Sequence, residues 1–308
     1  MTSARARLVL LSIVAAGAGC PSFAHVIDPA ASEAGALVWS FDPLVLALLA
    51  VSAALYLAGF TRLRARSRHG RAVRQMQAGA FAGGLLALVA ALVSPVDALG
   101  ASLFSAHMLQ HELMMIVAAP LLVIGRPLAV WLWAFPAAGR LRVARALRSP
   151  PLARAWRWIT LPLVAWALHA VALWGWHAPL LFEAALRHPF VHTLQHWSFL
   201  LTALLFWWTV IGTRGAGSGA HAMLSLFTTM VHTSALGALL TLAPGLWYPS
   251  YAETTAAWGV SPLQDQQLGG LVMWVPGGLA YVIGGLAVAA QWLVRRDRAA
   301  TPATVASP

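Results

Sequence analysis

His107 and His111 stand four residues apart in one apolar stretch, and His192 and His196 repeat that spacing in another. Positions i and i+4 of a helix share a face one turn apart, so each pair presents two imidazoles in chelating geometry. His177 closes a third apolar stretch. The run S-A-H-M-L-Q-H-E-L-M-M, from Ser105 to Met115, adds the thioethers of Met108, Met114 and Met115 and the carboxylate of Glu112. By helical spacing Met114 shares the histidine face, three residues beyond His111, whereas Met108 and Met115 do not. Imidazole with thioether suits copper, above all the cuprous ion, while a hard ion would ask for more carboxylates. The alternative for each side chain alone is structural: methionine as packing filler, histidine as a hydrogen-bonded bundle residue.

The elements that carry these residues are membrane spans. Of 308 residues 60% are hydrophobic and 9% charged, which leaves too little polar surface for a water-exposed globule and excludes a soluble enzyme and a disordered chain. Seven apolar stretches are long enough to cross a bilayer, roughly 43–60, 76–94, 103–124, 158–176, 190–211, 221–243 and 267–294. The fold class is therefore all-α, a polytopic membrane helix bundle. Asp42-Pro43 reads as a helix cap with proline at the first position, and Pro276-Gly277-Gly278 is expected to kink the last span. Ahead of them, Arg5 and Arg7, an apolar core from Leu8 to Ala18 and the small-x-small site Ser22-Phe23-Ala24 read as a signal peptide over residues 1–24. A lipoprotein cleavage at Cys20 and an uncleaved extra span are the alternatives. Residues 25–42 are then a periplasmic segment, 43–294 the transmembrane domain, and 295–308 a cytoplasmic tail expected to be disordered.

Orientation follows from arginine, since the chain has no lysine. The 61–75 and 125–157 loops, Arg214 and the Arg295, Arg296, Arg298 group place seventeen arginines on one side, against Arg187 alone on the other. The N-terminus is thus expected in the periplasm and the C-terminus in the cytoplasm of a bacterial inner membrane. Basic runs between spans are topology signals, so the +11 charge does not imply nucleic acid. Tryptophans near span ends, such as Trp131, Trp133, Trp156 and Trp247, fit interfacial belts.

On this topology His107, His111, His177, His188, His192 and His196 all project to the outer ends of spans three, four and five. Ionisable residues within a membrane are costly, which makes each a candidate for function. His169 lies about 12 Å inward of His177 by helical rise. With His232 it forms a possible deeper ligand pair or relay, the alternative being interhelical hydrogen bonding. His25, at a processed N-terminus, would offer an amine and an imidazole. In Gln264-Asp265-Gln266-Gln267, at the start of span seven, Asp265 is either a partner orienting an imidazole or a helix cap. Gly269 and Gly270 favour close helix approach. The single Cys20 lies in the leader, so any metal site must use His, Met or carboxylate.

Taken in order, H-M-L-Q-H in span three, W-G-W-H-A-P-L-L-F-E-A-A-L at 174–186, H-x-x-x-H at 192–196 and D-Q-Q-L-G-G-L-V-M-W-V-P-G at 265–277 resemble the CtaG family of assembly factors for caa-type cytochrome c oxidase. The resemblance covers roughly residues 40–295. It implies a polytopic inner-membrane protein that matures a haem–copper oxidase, with oxidase subunits as partners and copper as its suspected cargo. Carried over by position, the motif residues are His107, His111, His177, His192, His196, Asp265 and Gln266. Phe182 stands where the family is expected to favour tyrosine.

Three functions are compatible with these residues. The first is a non-enzymatic copper-handling factor with His107, His111, His192 and His196 as ligands, His177 and Met114 as auxiliaries, and Asp265, Gln266 and Glu112 behind them. The second is a b-type haem electron-transfer protein, although a second histidine one turn away is superfluous for an axial ligand. The third is a metal or proton transporter using Glu112, His169 and His232. A scaffold acting by helix contacts alone is the metal-free variant.

Overall fold

A computed structural model of the chain describes residues 37–66, 70–212 and 218–300. The expected signal peptide, Cys20, His25 and His69 lie outside the described residues. Among those described there is no strand. Six helices are long and apolar enough to cross a membrane, and the bent pair Pro150–Ile159 and Pro162–His177 makes a seventh if it is counted as one span. In chain order the helices are α1 (Pro43–Arg66), α2 (Arg71–Leu92), α3 (Pro95–Gly100), α4 (Phe104–Gly125), α5 (Pro127–Trp131), α6 (Ala137–Leu147), α7 (Pro150–Ile159), α8 (Pro162–His177), α9 (Pro179–Arg187), α10 (Pro189–Gly212), α11 (Ser218–Thr241) and α12 (Pro262–Ala300).

Local chemistry sets the starts of these helices. Asp42 Oδ1 accepts from the backbone N–H of Leu44 (2.7 Å) and Val45 (3.1 Å), ahead of Pro43 at the first turn of α1. Ser261 and Gln264 form a reciprocal capping box at α12. The fourth span departs from the expected 158–176. Leu161, held extended before Pro162, ends α7, and α8 begins at Pro162, bent by 67° from α7. Trp158 therefore belongs to a separate short helix. At the other end of the chain the last helix continues to Ala300, into the stretch expected to be a disordered tail.

Burial is inverted relative to a soluble protein. Leu86, Leu163, Leu180 and Leu242 face outward, while His107, Gln110, His111, Glu112, His169, Gln195 and Asp265 are buried. A bundle with lipid around it and polar residues between its helices has this arrangement. The centre is α4, with 61% of its apolar window buried against 11% for α1. Its first turns meet α12 at Gly269, and Gly270 allows α12 to approach α11. A Cβ on Gly269 would come 2.3 Å from Phe104 Cδ1, and one on Gly270 would come 2.7 Å from Gly237 O of α11.

Three π turns occur in the described spans, Leu113–Ala118 in α4, Trp208–Gly212 at the end of α10 and Met273–Gly277 in α12, the last enclosing Pro276 where a kink was expected. The first has a direct consequence for the methionines. The 3.6-residue period does not carry across Leu113, so Met114 is not placed by its offset from His111. It packs instead in an apolar cluster with Tyr56, Phe81, Leu88 and Ala118. Met115 turns toward Phe199 and Trp207, and Trp207 Nε1 donates to the Met115 carbonyl at 2.9 Å.

Candidate metal centre

The first turns of α4 and α10 and the last turn of α8 converge at one end of the bundle. The two i,i+4 pairs face each other across α4 and α10. Ring centroids lie 4.4 Å apart for His107 and His111, 4.1 Å for His192 and His196, 5.3 Å for His107 and His192, and 5.3 Å for His111 and His196. His107, His192 and His196 each offer a ring nitrogen, and these three atoms all lie within 4.8 Å of one another. Three imidazole nitrogens on one ion at about 2.0–2.1 Å stand at most about 3.6 Å apart from one another, so closure of the longest separation by about 1 Å would seat one ion.

The position of each ring follows from its neighbours. His107 Nδ1 lies 3.3 Å from both the Gly100 carbonyl and the Tyr251 hydroxyl, and Tyr251 itself donates to Gly100 O at 2.9 Å. That assigns the proton to Nδ1 of His107, shared between two oxygens, and leaves the Nε2 lone pair facing the cluster. His107 Nε2, both nitrogens of His111 and His196 Nε2 are buried without a hydrogen-bond partner. Gln195, between His192 and His196 on α10, is fully buried with both amide atoms likewise unpartnered. Unsatisfied polar atoms in this number demand an explanation, because each costs about 1–3 kcal/mol in a protein interior.

His177 enters from the side. Its Nδ1 donates to its own Leu173 carbonyl at 2.7 Å, and Nε2 lies 3.4 Å from the sulfur of Met108. The thioether that meets an imidazole is thus Met108, while Met114 sits in the apolar cluster described above. With the His177 proton on Nδ1, the imidazole lone pair and the thioether lone pairs face each other without a donor between them.

The residues expected behind the ligands take other places. Asp265 touches no imidazole and does not cap its own helix. It reaches across to the start of α4, accepting from Phe104 N (2.6 Å), Ser105 N (3.2 Å) and Ser105 Oγ (2.5 Å). This satisfies N–H groups that any helix start leaves unpaired and so fixes α4 three residues before His107. Gln266 ties down the connection after α11, accepting from Trp247 N (2.6 Å) and donating to Gly245 O (3.2 Å). Glu112 faces span seven, its Oε2 3.1 Å from where a Cβ on Gly277 would stand. His169 is deeper and fully engaged: Nδ1 lies 3.2 Å from Thr202 Oγ1 and Nε2 3.5 Å from Tyr281 OH. His232 accepts from Trp174 Nε1 at 3.4 Å and contacts Trp166 edge-on. His188 is exposed at the start of α10.

Residue spacing gave no sign of several supporting groups. The 242–261 connection folds over the histidines, carrying the buried Tyr248 and Tyr251. Tyr248 donates to His177 O at 2.8 Å. Glu183 on α9 holds the connection, accepting from Ser250 N at 3.1 Å and from the Ser250 hydroxyl. Burial, then the nearby Asp265 carboxylate, Tyr248 and Glu183, push the Tyr251 hydroxyl well above its ordinary range, so it remains a donor. Gln110, the fourth letter of H-M-L-Q-H, donates to Asp97 Oδ1 (2.6 Å) and Ala91 O (2.9 Å) and thereby anchors α3. A narrow cleft lined by Asp97, Gly100, Ala101, Gln110 and Ala185 reaches His107 and His192.

A family model described as cytochrome c oxidase caa3 assembly factor matches residues 54–295. Proteins of Mycobacterium bovis and Mycobacterium tuberculosis, both named as uncharacterized, are 30% identical over 277 residues, covering 85% of this chain and 40% of their own length. An uncharacterized protein of Mycobacterium leprae is 28% identical over the same span. The chain thus spans about 40% of the length of the curated relatives it matches. No solved structure matches it. The matched region contains every histidine of the cluster, both tyrosines above it and the aspartate that fixes α4, and the chain belongs to the caa3 cytochrome c oxidase assembly factor family.

Proposed function

We propose that the protein assists assembly of a caa3-type cytochrome c oxidase in a bacterial inner membrane by holding cuprous copper at the histidine cluster and passing it to an oxidase subunit. The observation that carries this reading is the convergence of His107, His192 and His196, whose ligand atoms lie within 4.8 Å of one another, beside buried nitrogens of His107, His111 and His196 that have no hydrogen-bond partner. Family membership supports cytochrome c oxidase as the client. In this reading the histidine end faces the periplasm and the arginine-rich end the cytoplasm, as the arginine distribution supports.

The donor set favours the cuprous ion on electrostatic grounds. All the candidate ligands are neutral: His107, His192 and His196, with His111, His177 and the Met108 sulfur beside them. A carboxylate-free set of this kind leaves the whole charge of the ion uncompensated in a low-dielectric interior, and that cost rises steeply from a monovalent to a divalent ion. Thioether adds affinity for Cu(I) in particular. Hydrogen bonds from Nδ1 of His107 and His177 to carbonyls fix the tautomers that expose Nε2. The cleft offers about 10 Å³ at His107 and His192, room for an ion or a water and far too little for a haem macrocycle.

The test combines metal content with client maturation. Full-length protein in detergent is loaded with Cu(I), freed of loose metal and assayed for copper, and the same variants are returned to a deletion strain to measure oxidase activity. Defined copper in the wild type, lost together with oxidase activity in His107→Ala/His196→Ala, is the expected result. Oxidase activity that survives in a variant unable to hold copper would overturn copper transfer and leave a scaffold.

A further inference from the structure

The arginine-rich end of the bundle has a pocket that takes no part in copper handling. It encloses about 300 Å³ between the last turns of α1 and the segment joining α5 to α6, and its walls include Arg62, Arg66, Trp133, Phe135, Pro136 and Arg140. That volume is at the lower end of the range for small-ligand sites. Three guanidinium groups share this pocket, and among the described residues no carboxylate pairs with any of them. Between residues 43 and 160 the only acidic residues are Asp97 and Glu112, which belong to the histidine end and its span.

Two of the guanidinium groups are positioned in advance. Arg140 stacks over the Trp133 ring, its Cζ 3.9 Å from the centroid. Arg62 is held by a hydrogen bond from Nη1 to the Ala134 carbonyl. Each keeps N–H groups free in the planar fork that matches a phosphate. Beside the pocket, α6 and α7 bury no residue at all. They carry Arg142, Arg145, Arg154 and Arg157 alongside exposed Leu141, Leu147, Leu152 and Trp158. Short helices of this make-up lie in the membrane interface, with arginines at headgroup level and leucines among the acyl chains. The pocket therefore opens where phospholipid headgroups are.

We propose that this pocket binds the phosphate of an anionic phospholipid, with Arg62, Arg66 and Arg140 gripping the headgroup and Phe135 and Pro136 lying along its glycerol and first methylenes. Free inorganic phosphate shares the anion chemistry but gains nothing from the apolar wall.

Native mass spectrometry of the full-length protein, released from detergent after equilibration with equimolar dioleoylphosphatidylglycerol and dioleoylphosphatidylcholine, tests the proposal. Retention of the anionic lipid should exceed that of the zwitterionic one about tenfold, the scale of a lost charge-assisted contact. Arg66→Gln and Arg140→Gln should each lower that preference several-fold. Arg142→Gln removes the same charge from an exposed position outside the pocket and should leave it unchanged. Arg66 is exposed and makes no contact that the fold requires, so Arg66→Gln remains informative if Arg140→Gln loses its melting transition. Equal retention of the two lipids, or an equal loss in Arg142→Gln, would overturn a built site in favour of diffuse surface charge. Displacement of the lipid by millimolar inorganic phosphate would overturn the lipid as occupant.

Discussion

His111 and His169 are both 1% exposed, both lie within spans of the same bundle, and they differ in almost everything else. His169 has each ring nitrogen beside a hydroxyl, Thr202 on one side and Tyr281 on the other. Thr202 donates its own proton to Ser198 O at 2.7 Å, so its oxygen accepts from His169 Nδ1, and Tyr281 donates to Nε2. The hydrogen bonding of this histidine is complete within the protein. His111 has no partner at either nitrogen, and the rings around it are other imidazoles and Phe199. A buried polar group without a partner is retained against a cost, which a metal ion repays and packing does not. Histidine identity and depth therefore do not separate the two residues in this bundle, and completeness of hydrogen bonding does.

The largest effect should come from removing the convergent ligands. His107→Ala/His196→Ala deletes two of the three nitrogens that lie within 4.8 Å of one another, and copper retained after removal of loose metal should fall below detection. His169→Ala measured in parallel should retain the wild-type stoichiometry. Equal copper loss in both would erase the distinction between the two regions. Next in size is Tyr251→Phe, which removes the hydroxyl from His107 Nδ1 and Gly100 O without touching a ligand. Loss of a group that orients a ligand costs about 10–100-fold in metal affinity. Competition with a cuprous chelator reads the change.

Much of the architecture was legible because it depends on local rules. Apolar length located the spans, Asp42-Pro43 marked the start of α1, and the i,i+4 histidine pairs share faces as helical spacing requires. The failures arose where non-local packing decides. Ser261-x-x-Gln264 carried the capping-box pattern, which left Asp265 free to cap α4, 160 positions earlier in the chain. The wide turn at Leu113–Ala118 broke the period on which the placement of Met114 rested. Tyr251 lay in a connection with no periodicity, and only its fold-back over α9, held by Glu183 and Ser250, brings it to His107.

A smaller effect separates the two methionines. Met108 sulfur is 3.4 Å from His177 Nε2, whereas Met114 is packed among Tyr56, Phe81 and Leu88. Met108→Leu keeps the volume and removes the sulfur, a substitution that costs the fold less than about 1.5 kcal/mol. Copper affinity should drop several-fold in Met108→Leu and stay unchanged in Met114→Leu, as measured with the same cuprous chelator. The reverse order would return the thioether role to the position that simple helical spacing assigns.

The smallest effect on copper, and the sharpest on the comparison, is in stability. His169→Leu leaves the buried Tyr281 hydroxyl without its acceptor, at a cost of about 1–3 kcal/mol. Adding Tyr281→Phe removes the orphan and should recover most of the loss, since replacing both partners by apolar groups is nearly neutral. His111→Leu breaks no hydrogen bond and removes two unsatisfied nitrogens, so the metal-free protein should melt at or above the wild-type temperature. Thermal unfolding of the four proteins in one detergent decides the matter. A melting point for His111→Leu as low as that of His169→Leu would mean that the cluster is hydrogen-bonded after all, and its ligand role would lose its physical basis. With copper present the order should reverse: an ion that binds only the folded state should raise the wild-type melting temperature more than that of His111→Leu, which keeps the three converging nitrogens but loses the imidazole beside them.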